Sequence, residues 1–158
     1  MIFNIRVIIA VALTATFSVI SACNSTRSNT PTIATTADST IMLVARLASS
    51  NEVPPNTSAA SGMVKASFDT QTNLLSWTVT YTGLTGPASA GHFHGPAASG
   101  MNAGVVLPLS GDLQSPIKGM ATLNTAQTND LMAGKWYMNL HTSANPNGEI
   151  RGQVSVKP

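Results

Sequence analysis

The sequence predicts an all-β domain, a Greek-key β-sandwich or barrel, with one short helix near residues 125–133. Three observations carry this. Apolar residues recur with a period of two over several short stretches, the pattern of half-buried strands. Clusters of Pro, Gly, Asn and Asp separate those stretches. Thr, Ser, Ala, Val and Gly dominate, while Asp, Glu, Lys and Arg make up only 9% of the chain and the formal net charge is +2.

Each element has its own signal. Residues 41–47, Ile-Met-Leu-Val-Ala-Arg-Leu, read as the first strand. Pro54 and Pro55 bound it, because proline has no N–H to give to a ladder. Across residues 62–68, Val64, Ala66 and Phe68 fall on one side, with Lys65 and Ser67 on the other. Residues 69–73 form a hairpin loop by composition. The next strand has the clearest alternation in the chain. Leu75, Trp77, Val79 and Tyr81 face one way, and Ser76, Thr78 and Thr80 the other. Loops at residues 83–88 and 95–102 flank a strand containing His92 and His94. Residues 104–109 form a short strand in which Pro108 marks an edge or a bulge, and residues 116–123 a weaker one.

Residues 125–134 read as the only helix, with Asn124 or Thr125 at its N-cap and Gly134 just past its end. Residues 135–141 then place Trp136, Met138 and Leu140 on one strand face. Pro146 and Gly148 suit the second and fourth positions of a type I turn, and residues 149–156 close the domain. Trp77 and Trp136 lie on apolar faces and are expected to be buried. Met42, Met63, Met120, Met132 and Met138 fall at core-like positions, where a thioether commonly fills gaps.

Ahead of this domain, residues 1–22 have the form of a secretory leader. Arg6 and the amino terminus are its positive charges, and residues 7–20 are almost wholly apolar. That run is shorter than the about 20 residues needed to span a bilayer. Ile20-Ser21-Ala22-Cys23 resembles the bacterial lipobox, which implies that Cys23 becomes the lipidated first residue. Cys23 is the only cysteine of the chain, so an intrachain disulfide is excluded. Residues 23–40 are small and polar, unable to bury enough apolar surface to order themselves. They read as a lipidated cysteine and flexible tether with a span of about 20–25 Å. Residues 41–157 are left as one β-domain. The expected address is the cell envelope, lipid-anchored and extracytoplasmic.

Chemistry concentrates in few places. The chain has three histidines. Two lie in Gly91-His92-Phe93-His94-Gly95-Pro96-Ala97 and the third, His141, in Tyr137-Met138-Asn139-Leu140-His141-Thr142. If Phe93 points into the core, His92 and His94 share the opposite face. If Trp136, Met138 and Leu140 point into the core, His141 shares the opposite face with Tyr137 and Asn139. Pairing of the two strands would then gather three imidazoles, a set that suits Cu or Zn. The competing expectation is that each histidine bonds backbone groups of neighbouring loops. Glu149 and Arg151, two residues apart, are expected to form an exposed or half-buried ion pair, and Asn139 to satisfy backbone at a strand edge.

No Ser-His-Asp or Cys-His order can be defended, and the six acids of the chain show no paired carboxylates for hydrolysis. No catalytic residue is assigned. No basic run exists, so nucleic acid is not an expected partner.

Four stretches carry a resemblance over nearly all of residues 41–156. They are Ala48-x-x-x-Glu52-Val53-Pro54-Pro55, the Gly91 to Ala97 motif, Leu131-x-x-Gly134-x-x-Tyr137-x-Asn139-x-His141-Thr142, and Asn145-Pro146-x-Gly148-Glu149-Ile150-Arg151-Gly152-Gln153. Together they resemble the CHRD domain, the module named from chordin. The resemblance implies an extracytoplasmic β-domain, a Greek-key sandwich or barrel of immunoglobulin-like or superoxide-dismutase-like architecture, and no activity. Low charge, the tether and the absence of a definable catalyst suit a binding or structural module displayed for an unidentified protein or glycan ligand; the alternative is a small copper- or zinc-binding protein using His92, His94 and His141. The His-x-His strand is also similar to the copper side of copper–zinc superoxide dismutases. Those enzymes use more histidines and an aspartate, which three histidines cannot replace, so dismutase activity is not implied.

The anchor is tested by palmitate labelling in a bacterial host. The wild-type chain is expected to take up label and Cys23→Ser to lose it and remain unprocessed. Equal labelling of both would remove the anchor.

Overall fold

The computed structural model describes residues 39–157. The leader, Cys23 and nearly all of the tether fall outside the described residues. Alternation sets which way each strand faces. In β1 (Thr40–Ala48) the buried residues are Leu43, Ala45 and Leu47. In β2 (Ser61–Asp69) they are Val64, Ala66 and Phe68, and in β3 (Leu74–Thr82) Leu75, Trp77 and Val79. Met42 and Met120, expected in the core, instead lie 49% and 69% exposed. Parity explains both: Met42 alternates with the inward Leu43, and Met120 follows the inward Gly119.

A 3₁₀ turn, Ser49–Asn51, ends the first strand ahead of the proline pair. The chain continues through β4 (Ala88–His94), β5 (Val105–Pro108), β6 (Ile117–Thr122), α1 (Thr125–Met132), β7 (Tyr137–Thr142), β8 (Ile150–Gln153) and β9 (Ser155–Val156). Trp136 precedes β7 rather than lying within it. Helix α1 starts at a reciprocal cap. Asn124 Oδ1 accepts from the Gln127 N–H, and Gln127 Oε1 from the Asn124 N–H.

All pairings are antiparallel, in the order β5-β4-β7-β8-β1-β2-β3-β6, with β9 also on β1. The short strands β5 and β6 form the two ends, so the edge role expected from Pro108 holds. The sheet is curled, a half-barrel around one core. β3 and β4 lie far apart in the order, yet Trp77 meets Phe93 edge to face at 5.4 Å. Phe93 also faces Trp136 at 6.1 Å. The all-β class, the single short helix among the described residues and the burial of both tryptophans agree with the sequence. At Gly119, a Cβ would run into the Trp77 ring, so β6 backbone lies directly over the indole.

Trp136 is 1% exposed and packs on Phe93, the ring that joins the two tryptophans. Trp136→Ala is expected to lower unfolding free energy by about 3–5 kcal/mol in a urea titration. A loss below about 1 kcal/mol would remove the indole from the core.

Candidate metal centre

β4 and β7 meet with His92 opposite Asn139, Phe93 opposite Met138, His94 opposite Tyr137 and Ala90 opposite His141. Phe93 and Met138 are buried in the core. Alternation therefore sends His92, His94, Tyr137, Asn139 and His141 to the other face. The three histidines do converge there: one nitrogen from each lies within 4.8 Å of the others. His92 Nδ1 and His141 Nε2 are 3.1 Å apart.

Loop carbonyls orient two of the rings. His94 Nδ1 lies 3.0 Å from the Ala103 carbonyl oxygen, and His141 Nδ1 lies 3.0 Å from that of Pro146. A carbonyl only accepts, so each Nδ1 carries the proton and donates it. In a neutral ring, Nε2 then holds a lone pair; His141 Nε2 faces His92 Nδ1, and both Nε2 atoms face Asn139. Two of the three rings, His94 and His141, bond loop backbone as the competing expectation had it, while His92 bonds His141 instead. Outer hydrogen bonds of this kind are how metal-ligating histidines are held in one tautomer.

The electrostatics keep lone pairs available. Burial holds His92 below its ordinary pKa, with His141 and His94 adding like-charge repulsion. Burial also lowers His94, against the opposing pull of the Ala103 carbonyl and Asn139. Neutral imidazole is the form that binds metal.

Asn139 does not serve a strand edge as expected. β7 is an interior strand, and Asn139 Oδ1 sits 3.0 Å from His94 Nε2 and 3.1 Å from His141 Nε2. The Asn139 amide nitrogen lies beside the Glu52 carboxyl, where both border Gly148. Glu52 is 5% exposed, and burial raises its pKa to about 7 despite Arg151, Asn139 and the Val53 N–H. Gly148, at φ +127°, makes room for this contact, since a Cβ there would strike the Glu52 carboxylate and the Asn139 amide. A cleft of about 380 Å³ opens beside the histidines between the Glu52 to Pro54 segment and β7.

The expected ion pair between Glu149 and Arg151 does not form. Both are fully buried, and each is satisfied separately. Glu149 Oε1 accepts from Ser58 Oγ at 2.6 Å and the Thr85 N–H at 2.8 Å. Its Oε2 accepts from Thr85 Oγ1 at 2.7 Å and Thr142 Oγ1 at 2.6 Å. Arg151 donates to Asn102 Oδ1 and the Met101 carbonyl, and its guanidinium lies 3.4 Å from the Tyr137 ring centroid. Tyr137 in turn stacks on His94 at 4.7 Å, nearly parallel. Ring stacking and hydrogen bonds satisfy Arg151, with Glu52 near enough to feel its charge.

Sequence reasoning missed the roles of Glu52, Ala103 and Pro146. Glu52 lies in the Ala48-x-x-x-Glu52-Val53-Pro54-Pro55 stretch, but nothing in that spacing shows that its side chain faces Asn139. The two carbonyls are backbone groups, which a sequence does not mark.

Comparison with protein families matches the CHRD domain over residues 43–154. No curated protein and no solved structure matches the chain.

Glu149 gives a pH test of this polar layer. Burial alone would raise its pKa, but hydrogen bonds from Ser58, Thr142 and Thr85 outweigh it and bring the pKa from 4.5 to about 2. A lowered folded pKa adds stability above pH 4.5 that is lost as pH falls toward 2. The expected loss in urea titrations is roughly 3 kcal/mol over that window. Glu149→Gln is expected to be less stable at neutral pH and to lack this slope. An unchanged slope in the variant would assign the acid sensitivity elsewhere.

Proposed function

Because the chain belongs to the CHRD domain family, we propose that it is a lipid-anchored, extracytoplasmic binding module of the cell envelope that takes up one Cu(II) or Zn(II) ion. His92, His94 and His141 would hold it. The observation that carries this is the convergence of three ring nitrogens within 4.8 Å, two of them with their tautomers set by loop carbonyls. Imidazole suits both metals, and three protein ligands leave a position for water or another donor. The cleft beside the histidines gives that position a route to solvent.

The anchor is supported by the lipobox-like Ile20-Ser21-Ala22-Cys23 and by the polar tether that follows. Together these would display the domain outside the membrane, where it meets metal ions or a protein or glycan ligand.

Calorimetric titration of the full chain in detergent with Cu(II) and Zn(II) tests the metal. The wild type is expected to bind about one equivalent, and His92→Ala/His94→Ala to bind none. Equal binding by both proteins, or none by the wild type, would end the metal function. A macromolecular partner captured from envelope extract equally well with chelator present would favour the purely protein or glycan module.

A further inference from the structure

The metal site has a donor that its histidines do not explain. His94 Nε2 and His141 Nε2 both carry lone pairs, because their Nδ1 protons are given to Ala103 and Pro146. Both nitrogens nevertheless face Asn139 Oδ1, at 3.0 and 3.1 Å. An amide oxygen also only accepts. His92 Nδ1 can donate to His141 Nε2, but with the amide oxygen on this side nothing in this group can donate between His94 Nε2 and Asn139 Oδ1; the reversed amide would let its nitrogen donate to both rings. His94 Nε2 and His141 Nε2 face Asn139 Oδ1 across 3.0–3.1 Å, acceptor to acceptor, close to the edge of a tetrahedron of metal ligands, about 3.3 Å for bonds of about 2 Å.

The orientation of Asn139 is itself built. Its amide nitrogen lies beside the Glu52 carboxyl where both border Gly148, and when ionised that carboxyl can only accept, which favours this amide orientation. Glu52 therefore holds the amide oxygen toward the imidazoles. Glu52 is 5% exposed and one of its oxygens, Oε1, has no hydrogen-bond partner among the described residues. Burying an acid so poorly satisfied is unfavourable for folding, and the orientation of Asn139 is what it achieves.

We propose that Asn139 Oδ1 is a fourth protein donor to the metal, and that Glu52 is the positioning residue that aims it. The proposal rests on the metal function given above. It makes the site a neutral set of three nitrogens and one oxygen. An amide oxygen is a hard donor, so the set favours divalent Cu(II) or Zn(II) over soft Cu(I). Glu52 is then an outer partner to a ligating group.

The test uses Co(II) and Cu(II) on the full chain in detergent, with Asn139→Leu, Asn139→Asp and Glu52→Gln. Visible spectra of Co(II) and hyperfine splittings of Cu(II) report the donor set directly, which a merely structural role would not move. Asn139→Leu is expected to weaken both metals by about 10–100-fold and to shift both spectra. Asn139→Asp is expected to bind at least as tightly as wild type, with its own spectral shift. Glu52→Gln is expected to weaken binding by about 10-fold and shift the spectra in the direction of Asn139→Leu. One equivalent bound by the wild type, with spectra unchanged in both Asn139 variants, would overturn the fourth donor and leave the histidine site standing. No binding by the wild type would overturn both. If Asn139→Leu fails to fold, an Asn139→Asp spectrum identical to wild type is sufficient to overturn the fourth donor.

Discussion

The site depends on a single strand register. β4 and β7 pair so that Phe93 faces Met138, and these two, 1% and 0% exposed, sit among Trp77 and Trp136. Strand side chains alternate, so a slip of one residue would drive the histidines into this aromatic group and turn Phe93 toward water. The cost of exposing those apolar surfaces fixes the register. The register in turn places His92 beside Asn139 and His94 beside Tyr137. The hydrophobic core thus positions a polar site that it never touches.

The opposite face of β7 is a second, polar interior. Tyr137 and Asn139 are as deeply buried as their core-facing neighbours. Charges enter such a layer only with partners in place, and here the partners come from loops. Arg151 grips Asn102 and the Met101 carbonyl, and the next residue, Ala103, presents the carbonyl that orients His94. Asn102 also reaches back to the Val53 carbonyl, next to Glu52. Glu149 ties Ser58, Thr85 and Thr142 together just beyond the turn that carries Pro146. The residues that resemble an ion pair in sequence act as two separate clamps, and each holds a loop that the histidines need.

The alternating strands were readable because one face of each is apolar: Val64, Ala66 and Phe68, or Leu75, Trp77 and Val79, declare their direction without help. The same parity applied to Phe93 and to Trp136, Met138 and Leu140 brought His92, His94 and His141 to a common side. At Met42 and Met120 parity and hydrophobicity disagree, and parity decides: both side chains lie outside. Glu149 and Arg151 were misjudged for a different reason. Spacing says which residues share a face, but whether that face is covered depends on loops distant in sequence, such as those of Ser58 and Asn102. Glu52 was hidden in the same way, since its contact with Asn139 spans most of the chain.

β7 is hydrogen-bonded to β4 on one edge and β8 on the other, with the apolar core on one face and the polar layer on the opposite one. No part of it can detach without breaking both edges and both faces together. Its amide protons should therefore exchange with solvent only through global opening of the domain. Asn139 and His141 ride on that strand, so local fraying does not reach them. A ligand set mounted this way undergoes little ordering when an ion arrives, and its release is not hastened by breathing of the scaffold.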